Sequence, residues 1–261
     1  MVESSSLEPA KGSSIMAITI RQSVRDIVNE NPAIIPVFQR YGIDFCCGGD
    51  KSFAEACITA KVTPEIVLDA FESAKQLSTE RATEVDWTKQ PLADLISHIN
   101  RTHHMYLRNE SARIEKLLSK VPEKHGEKHP ELFQVRVVFT ALAAELAVHL
   151  MKEEQILFPF IIRLEEATLA GEPAPPSACF GTVENPIRMM EHEHESAGNA
   201  LRELRALTNG YTAPEVACDG FRSLYAALAD YEADLHVHIH KENNILHPRA
   251  LAGERSKAVH A

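Results

Sequence analysis

Two segments of the chain carry nearly the same string of residues, and this repeat strongly limits what the chain can fold into. His149-Leu-Met-Lys-Glu-Glu-Gln-Ile-Leu-Phe-Pro159 aligns without a gap with His238-Ile-His-Lys-Glu-Asn-Asn-Ile-Leu-His-Pro248. The His, Lys, Glu, Ile, Leu and Pro match in type and in spacing. A Glu four residues after a His lies on the same face of a helix. The repeat therefore predicts two equivalent helices that present the same polar pair.

Four long segments with apolar residues at intervals of three and four follow one another from residue 92, which predicts four amphipathic helices. Their approximate limits are 92–119, 131–169, 183–208 and 214–247. Helices that are joined by short loops pack as antiparallel neighbours. No segment of any length shows the alternation of apolar and polar residues that is typical of a strand. We therefore predict an all-α fold in which an antiparallel four-helix bundle occupies 91–254.

A smaller helical domain precedes the bundle. Ser23, Ser52 and Thr63 each stand before apolar residues at helical spacing, as N-cap residues do. This pattern predicts three or four short helices around a central loop at 41–50. The predicted limits are 1–18 for a flexible tail, 19–77 for the small domain and 78–90 for a linker.

Charge and cysteine content exclude several classes of protein. The 27 Lys and Arg against 37 Asp and Glu give a net charge of -10, which disfavours nucleic acid and anionic membranes as partners. The first residues lack the apolar core of a signal peptide, and the most apolar stretch contains Glu145 and His149 and is too short to cross a bilayer. Five cysteines without a spaced framework favour reduced thiols and a cytoplasmic protein.

The repeated His and Glu residues lie on the apolar faces of their predicted helices. His149 and Glu153 continue the apolar stripe of the second segment, and His238 and Glu242 continue that of the fourth. A buried carboxylate destabilises a bundle by several kcal/mol unless a cation compensates it. Two buried carboxylates also repel each other, and a pair of divalent metal ions removes both penalties. Imidazole with carboxylate ligands suits iron or manganese, with zinc as a further choice.

The other two segments complete the predicted ligand set. His194 lies on the inward stripe of the third segment, and the first segment offers His103 and His104. Apolar periodicity slightly favours His103, and its distance to His149 equals that from His192 to His238. The nearly equal distances from His104 to His149 and from His194 to His238 fit His104, so both stay open at this point. Glu145 and Asp234 stand four residues before the two repeated histidines. We predict that they accept hydrogen bonds that orient imidazole rings.

Several further motifs accompany the repeat. They are Tyr41-Gly-Ile-Asp-Phe-Cys-Cys-Gly-Gly49, Asp86-Trp87 before Pro91-Leu92, Glu193-His194-Glu-Ser-Ala-Gly198 and Glu242-Asn-Asn-Ile-Leu-His-Pro-Arg-Ala-Leu-Ala-Gly-Glu254. With these motifs, the chain from about residue 20 resembles the iron–sulfur cluster repair di-iron proteins, whose bundle is of the hemerythrin type. The resemblance implies repair of clusters damaged by nitric oxide or peroxide, through a supply of iron. The alternative is a hemerythrin-like sensor of O₂ or nitric oxide, or a protein that handles nitric oxide.

The resemblance also implies a cofactor, which is a pair of non-haem iron ions bridged by an oxo group and by Glu153 and Glu242. The implied ligands are His104, His149, Glu153, His194, His238 and Glu242. The resemblance selects His104 over His103 and leaves His125 as an outside candidate. The implied partners are damaged iron–sulfur proteins or a cluster assembly scaffold, a small diatomic ligand (nitric oxide or O₂) and a second copy of the chain. Whether the centre also acts as an enzyme on nitric oxide stays open.

The adjacent residues Cys46 and Cys47 are interpreted as a thiol site that transfers iron or nitric oxide. Flanking glycines let the backbone approach a partner closely, and a disulfide between neighbouring cysteines needs a strained ring. Nearby helix N-termini would favour the thiolate, which is the reactive form. The alternative is a tight turn that holds two half-buried thiols. Cys57, Cys179 and Cys218 receive no role.

Overall fold

The part of the chain that the structure describes is entirely helical in its regular elements. The structure, a computed structural model, describes residues 18–77, 85–176 and 180–258. The predicted tail up to residue 17, the linker residues 78–84 and Cys179 lie outside this description. The all-α fold class predicted from the sequence is confirmed. The predicted domain limits stay a prediction.

The small domain contains four short helices. They are α1 (Val24–Glu30), α2 (Ile35–Tyr41), α3 (Phe53–Ala60) and α4 (Pro64–Leu77). Ser23 caps α1 by accepting from the Asp26 N–H at 3.1 Å, and Ser52 forms a capping box with Glu55 at the start of α3. Helix α2 ends at Gly42, whose φ of +66° suits glycine. The loop that follows carries the adjacent cysteines.

Four long helices form the bundle, and three of them contain a single π-helical turn as their middle segment. They are α5 (Leu92–Ile99, Asn100–His104, Met105–His125), α6 (Glu131–Lys152, Glu153–Leu157, Phe158–Ala170), α7 (Glu184–Leu207) and α8 (Asp219–Lys241, Glu242–Leu246, His247–Ala258). Short connections make successive helices antiparallel neighbours, as the sequence predicts.

The π turns explain how α6 and α8 continue through a proline. Pro159 and Pro248 each stand two residues after a π turn. A proline has no N–H to donate and normally ends or kinks an α-helix. Here it falls where the backbone hydrogen bonds have already shifted to partners five residues back. The prediction that the fourth helix spans 214–247 is therefore wrong at both ends, because α8 begins at Asp219 and continues to Ala258.

Two separate apolar cores fill the bundle. One surrounds Phe139, Leu142 and Tyr231, and the other surrounds Ile99 and Phe160. On each long helix the predicted metal ligands lie between these two cores. The bundle therefore consists of two apolar ends that are separated by a buried polar layer. A third apolar cluster fills the small domain.

Helix α6 has the length and apolar composition needed to cross a membrane. However, 44% of its most apolar window is buried inside the protein, where residues such as Phe139 and Leu142 form part of the core. The core helix of a soluble protein has the same composition, so this helix is weak evidence for a membrane span. Its outer face carries exposed apolar side chains, among them Val137, Val148 and Met151.

Candidate metal centre

The six predicted ligands lie together in the polar layer, and each side chain is at most 2% exposed. Helix α5 contributes one, α6 two, α7 one and α8 two. Their ligand atoms form two groups that share both carboxylates. The groups are His104, His238, Glu153 and Glu242 at the first position, and His149, His194, Glu153 and Glu242 at the second position.

The imidazoles meet in pairs through their Nε2 atoms. His104 Nε2 lies 3.1 Å from His238 Nε2 at the first position, and His149 Nε2 lies 3.0 Å from His194 Nε2 at the second. Two Nε2 atoms at this distance cannot both carry a proton. At most one nitrogen of each pair carries a proton, and with that proton lost both Nε2 atoms of the pair are free to bind one metal ion.

Each carboxylate spans the two positions. Glu153 Oε2 lies 3.4 Å from His104 Nε2, and its Oε1 lies 3.3 Å from His149 Nε2. Glu242 repeats this arrangement from the opposite side, with its oxygens 2.9 and 3.1 Å from the other two Nε2 atoms. Both side chains therefore have the geometry of bridges between two metal ions.

The described residues compensate these buried carboxylates only in part. Both oxygens of Glu153 and Oε2 of Glu242 are buried and accept no hydrogen bond from the part of the chain that the structure describes. An ionised carboxylate in an apolar interior is strongly destabilising without a cation or hydrogen-bond donors. Four imidazole nitrogens and two shared carboxylates fit a pair of divalent ions, and the absence of thiolate in this set suits iron or manganese.

Without bound metal, burial and the contacts between ligands move the pKa values in different directions. Burial opposes ionisation of Glu242, but His238 and the other imidazoles hold its pKa well below the ordinary value. Burial also opposes the charged form of His149, but Glu153 raises its pKa to about 9. At His238 burial dominates and lowers the pKa to about 3. The metal-free site therefore holds an ionised Glu242 beside a neutral His238, whereas His149 is protonated at neutral pH and has to lose that proton before it binds metal.

A hydrogen bond at Nδ1 orients three of the four imidazoles. The pairs, each 2.8 Å apart, are His104–Glu154, His149–Glu193 and His194–Asn243. In every pair the acceptor lies on the next helix, directly beside a ligand of that helix. In a neutral ring, donation from Nδ1–H to this acceptor leaves Nε2 unprotonated toward the centre.

The predicted acceptors Glu145 and Asp234 do not hold the ligands, so this prediction was wrong. Glu145 Oε2 lies 3.5 Å from Ser196 Oγ, and Asp234 Oδ1 lies 2.9 Å from Nδ1 of His103. A residue four positions earlier lies one turn away on the same helix, whereas Nδ1 of an inward-facing imidazole faces the neighbouring helix. The polar residue beside each ligand was the signal that sequence reasoning missed.

His103, the alternative to His104, turns away from the ligand groups and lies behind the fourth imidazole. Its ring is parallel to that of His238 within 8°, with 5.6 Å between ring centres. Its Nδ1 contacts Asp234, and its Nε2 lies 2.9 Å from Lys241 Nζ. Nδ1 of His238 has no hydrogen-bond partner among the described residues. Of the two candidates on α5, the structure brings His104 to the ligand groups.

The cysteine loop of the small domain lies directly against the centre. Cys47 Sγ lies 3.8 Å from the backbone oxygen of His194 and 3.9 Å from Cys46 Sγ. Asn243, which holds the ring of His194, also donates to the backbone oxygen of Cys46 at 3.5 Å. Cys46 is buried and Cys47 is exposed. The loop therefore contacts a ligand of the second position and is open to solvent on its other side.

The surroundings of Cys46 favour its thiol form. The contact with Cys47, burial and the nearby Asp44 carboxylate raise the pKa of Cys46 well above the ordinary value. These surroundings oppose the thiolate that nearby helix N-termini would favour. Asp44 accepts from the backbone N–H groups of Cys46, Cys47 and Gly48, which fixes the loop. Both cysteines are free thiols, as predicted for adjacent residues.

The remaining candidates are not brought to the centre. His125 Nε2 lies 3.1 Å from Cys218 Sγ at the far end of α5, about 30 Å along the helix from His104. Cys57 is buried in the small domain, where burial raises the pKa of its thiol. Cys179 lies outside the described residues.

Comparisons with known proteins agree with this geometry. The family model of the hemerythrin HHE cation binding domain matches residues 95–250, and that of a domain of unknown function (DUF542) matches residues 20–75. The iron-sulfur cluster repair protein YtfE of Yersinia pseudotuberculosis is 35% identical over 234 residues, which are 89% of this chain and 98% of that protein. The YtfE proteins of Pectobacterium atrosepticum and Yersinia pestis are 34% and 35% identical over the same shares.

Proposed function

Since the chain belongs to the hemerythrin HHE cation binding family and, within it, to the iron–sulfur cluster repair proteins, we propose that it repairs damaged clusters with iron from a di-iron centre. Its targets are iron–sulfur proteins. The observation that carries the proposal is the pair of ligand groups in the polar layer, which share two fully buried carboxylates. Those carboxylates are stable in that place only with cations beside them.

Under this proposal His104 and His238 hold one iron ion, His149 and His194 hold the other, and the two glutamates bridge them. Bound iron supplies one-electron redox chemistry and a position for a small ligand. Glu154, Glu193 and Asn243 keep the imidazoles in the tautomer that binds metal. Carboxylates attract Fe²⁺ less strongly than Fe³⁺ because the attraction grows with charge. Glu153 and Glu242 would therefore hold Fe²⁺ less tightly than Fe³⁺.

The adjacent cysteines are proposed as the transfer site for iron or nitric oxide. The 3.8 Å between Cys47 Sγ and the backbone oxygen of His194 supports this role, as does the exposure of Cys47 to solvent. Thiol sulfur is a softer ligand than carboxylate oxygen and binds iron well. Cys47 is the residue that contacts an incoming protein, and Cys46 lies behind it.

Iron donation is tested by incubating the iron-loaded protein with an iron–sulfur enzyme whose cluster has been damaged by peroxide. We expect recovery of enzyme activity together with an equivalent loss of iron from this protein. Recovery without iron loss contradicts donation. The double variant Cys46→Ser and Cys47→Ser is expected to bind iron normally but to restore activity slowly. Full repair by that variant would remove the cysteines from the proposal.

A second candidate function is binding of O₂ or nitric oxide, as a sensor or as an enzyme that consumes nitric oxide. A groove of about 520 Å³ between α6 and α7 favours it, because His149 and Glu193 line this groove. The groove gives a small molecule access to the second position. Spectroscopic binding of nitric oxide without release of iron, and without repair of the damaged enzyme, would favour this function over donation.

The oligomeric state we propose is a homodimer formed through the outer face of α6. Val137, Ala141, Ala144, Val148 and Met151 follow one another at intervals of four and three residues, and all are exposed. This is the spacing of a helix that packs along a second helix. Light scattering is expected to give twice the chain mass of 29.0 kDa. Val148→Glu is expected to give the monomer, and an unchanged mass would contradict this interface.

The compartment we propose is the cytoplasm. Cys46, Cys47, Cys57 and Cys218 are all free thiols in the structure. Thiols persist in the reducing cytosol and are oxidised or paired in export compartments. Cell fractionation with detection of the chain tests this, and recovery in the periplasmic fraction would contradict it.

A further inference from the structure

One position of the repeat differs in chemistry between the two halves of the centre. The residue directly after the π turn is Phe158 in α6 and His247 in α8. Each ring lies beside a ligand ring: Phe158 is 5.6 Å from His104 at the first position, and His247 is 6.2 Å from His194 at the second. The two residues therefore occupy equivalent places behind different metal positions.

The side chain of His247 is fully buried and has no polar partner among the described residues. Neither Nδ1 nor Nε2 makes a hydrogen bond. The nearest carboxylate oxygen is Glu191 Oε1, at 4.0 Å from Nδ1, which is beyond hydrogen-bond distance. An imidazole carries at least one N–H donor in either protonation state, so this buried ring has a donor without an acceptor.

A buried N–H without an acceptor destabilises a fold, and a phenylalanine avoids this penalty. The equivalent place in α6 shows that a phenylalanine ring is compatible with the π turn and with a neighbouring ligand ring. The ring of His247 is parallel to that of His194 within 8°, which places it beside the second metal position. Its partner is therefore best sought in something that binds there.

We propose that His247 donates a hydrogen bond to a small ligand bound at the second metal position. The ligand class is a small anion or diatomic molecule with an acceptor atom close to the metal, such as azide or nitric oxide. Because the first position has Phe158 in the equivalent place, ligands bind preferentially at the second position. This inference rests on the proposed function, since the ligand needs the metal.

The test compares azide binding by the iron-loaded wild type and by His247→Phe, which copies the other half of the repeat. Iron content is measured first. Wild-type protein that binds no pair of irons overturns the proposed function and this inference together. With iron bound, we expect the optical titration to show azide affinity about tenfold weaker in His247→Phe. An unchanged affinity at full iron content overturns this inference alone.

A second pair of measurements separates a ligand contact from a structural role. His247→Gln keeps an N–H donor and is expected to retain most of the wild-type azide affinity. In metal-free protein, His247→Phe is expected to raise the urea midpoint of unfolding, because it removes an unpaired buried donor. A lower midpoint, or azide binding by His247→Gln as weak as that by His247→Phe, would overturn the inference. Phe158→Leu is the matched control and should leave azide affinity unchanged.

Discussion

Helices α6 and α8 each supply a His and a Glu to the centre, at the same spacing. We call the residues on and around each helix the α6 half and the α8 half, and their surroundings differ. In the α6 half, Glu154 holds an imidazole and is itself paired at 2.8 Å with Arg108, which is partly exposed. In the α8 half, the equivalent Asn243 is in contact with the cysteine loop of the small domain. The phenylalanine of the first half is replaced by His247 in the second.

Under the proposed function, this comparison separates the residues that hold the metal from those that act on its ligands or transfer it. The repeated residues converge on two positions and give each the same donor atoms. The residues that differ make the two sides of the centre unequal, because Cys47 and the buried His247 both lie beside His194. Under the proposed function, the internal symmetry accounts for metal binding, and the residues that depart from it are the candidates for chemistry and transfer.

The largest expected effect comes from removing either shared carboxylate. Glu153→Gln and Glu242→Gln should each lose both iron ions, because each side chain contacts the imidazoles of both positions. Elemental analysis of protein purified with iron measures this directly. Glu145→Gln is the control and should keep both ions. Retention of one ion in either variant would show that the two positions bind metal independently.

A smaller effect is expected from the residues that hold the imidazoles. Glu154→Ala and Asn243→Ala should weaken iron binding about 10- to 100-fold, because the released ring no longer presents its nitrogen in a fixed direction. Competition with a coloured chelator measures this affinity. Asp234→Asn is the matched control, since Asp234 contacts His103 and no ligand. Similar losses in all three variants would contradict the assignment of these acceptors.

The halves should also differ in how pH affects the metal-free protein. The pKa of folded His149 is raised to about 9, so its contribution to stability is present below about pH 6.5 and is lost as pH rises through 9. The pKa of folded His238 is lowered to about 3, so stability falls as pH drops below about 6.5 and the unfolded chain takes up the proton.

Urea unfolding of chelated protein between pH 4 and 10 should therefore show a midpoint that falls on both sides of about pH 6.5. His149→Gln should flatten the alkaline side, and His238→Gln should make the acid side shallower. Burial also lowers the pKa of His98 and His240, so part of the acid side remains in that variant. A midpoint that rises steadily up to pH 9 would contradict the assignment for His149.

The smallest expected effect concerns the contact between the loop and the α8 half. A Cβ on Gly49 would lie 2.5 Å from Oδ1 of Asn244, whose amide donates to the backbone oxygens of Phe45 and Cys46. Gly49→Ala should destabilise the protein by about 1–3 kcal/mol, measured by thermal unfolding, and leave iron content unchanged. Gly253→Ala, with no atom closer than 3.8 Å, is the control and should be near neutral.

The four helices and the repeated ligand pairs could be predicted because they depend on local spacing. The choice between His103 and His104 on α5 shows where prediction from local spacing fails. Counting from Ile96 and Ile99 in steps of three and four leads to His103, but the π turn Asn100–His104 adds a residue to the turn. The residue that faces the centre is therefore His104. Only the resemblance to a family selected it, because no proline marks that π turn in the sequence.

The orienting acceptors could not be predicted from one helix, because their identity depends on how neighbouring helices are aligned along the bundle axis. Glu154, Glu193 and Asn243 each lie next to a ligand, but many polar residues do so without such a role. The change from Phe158 to His247 was visible in the aligned repeat. Its meaning required the burial and the missing partners that the structure provides.

The polar layer that divides the two apolar cores has a mechanical consequence. Each core is a short stack of four helical segments, and helices α5 to α8 join the two stacks through the polar layer. A metal pair bound at this level would link the two stacks. Under the proposed function, loss of iron would leave ionised groups facing one another across the bundle, so we expect the middle of the protein to loosen while both ends stay packed.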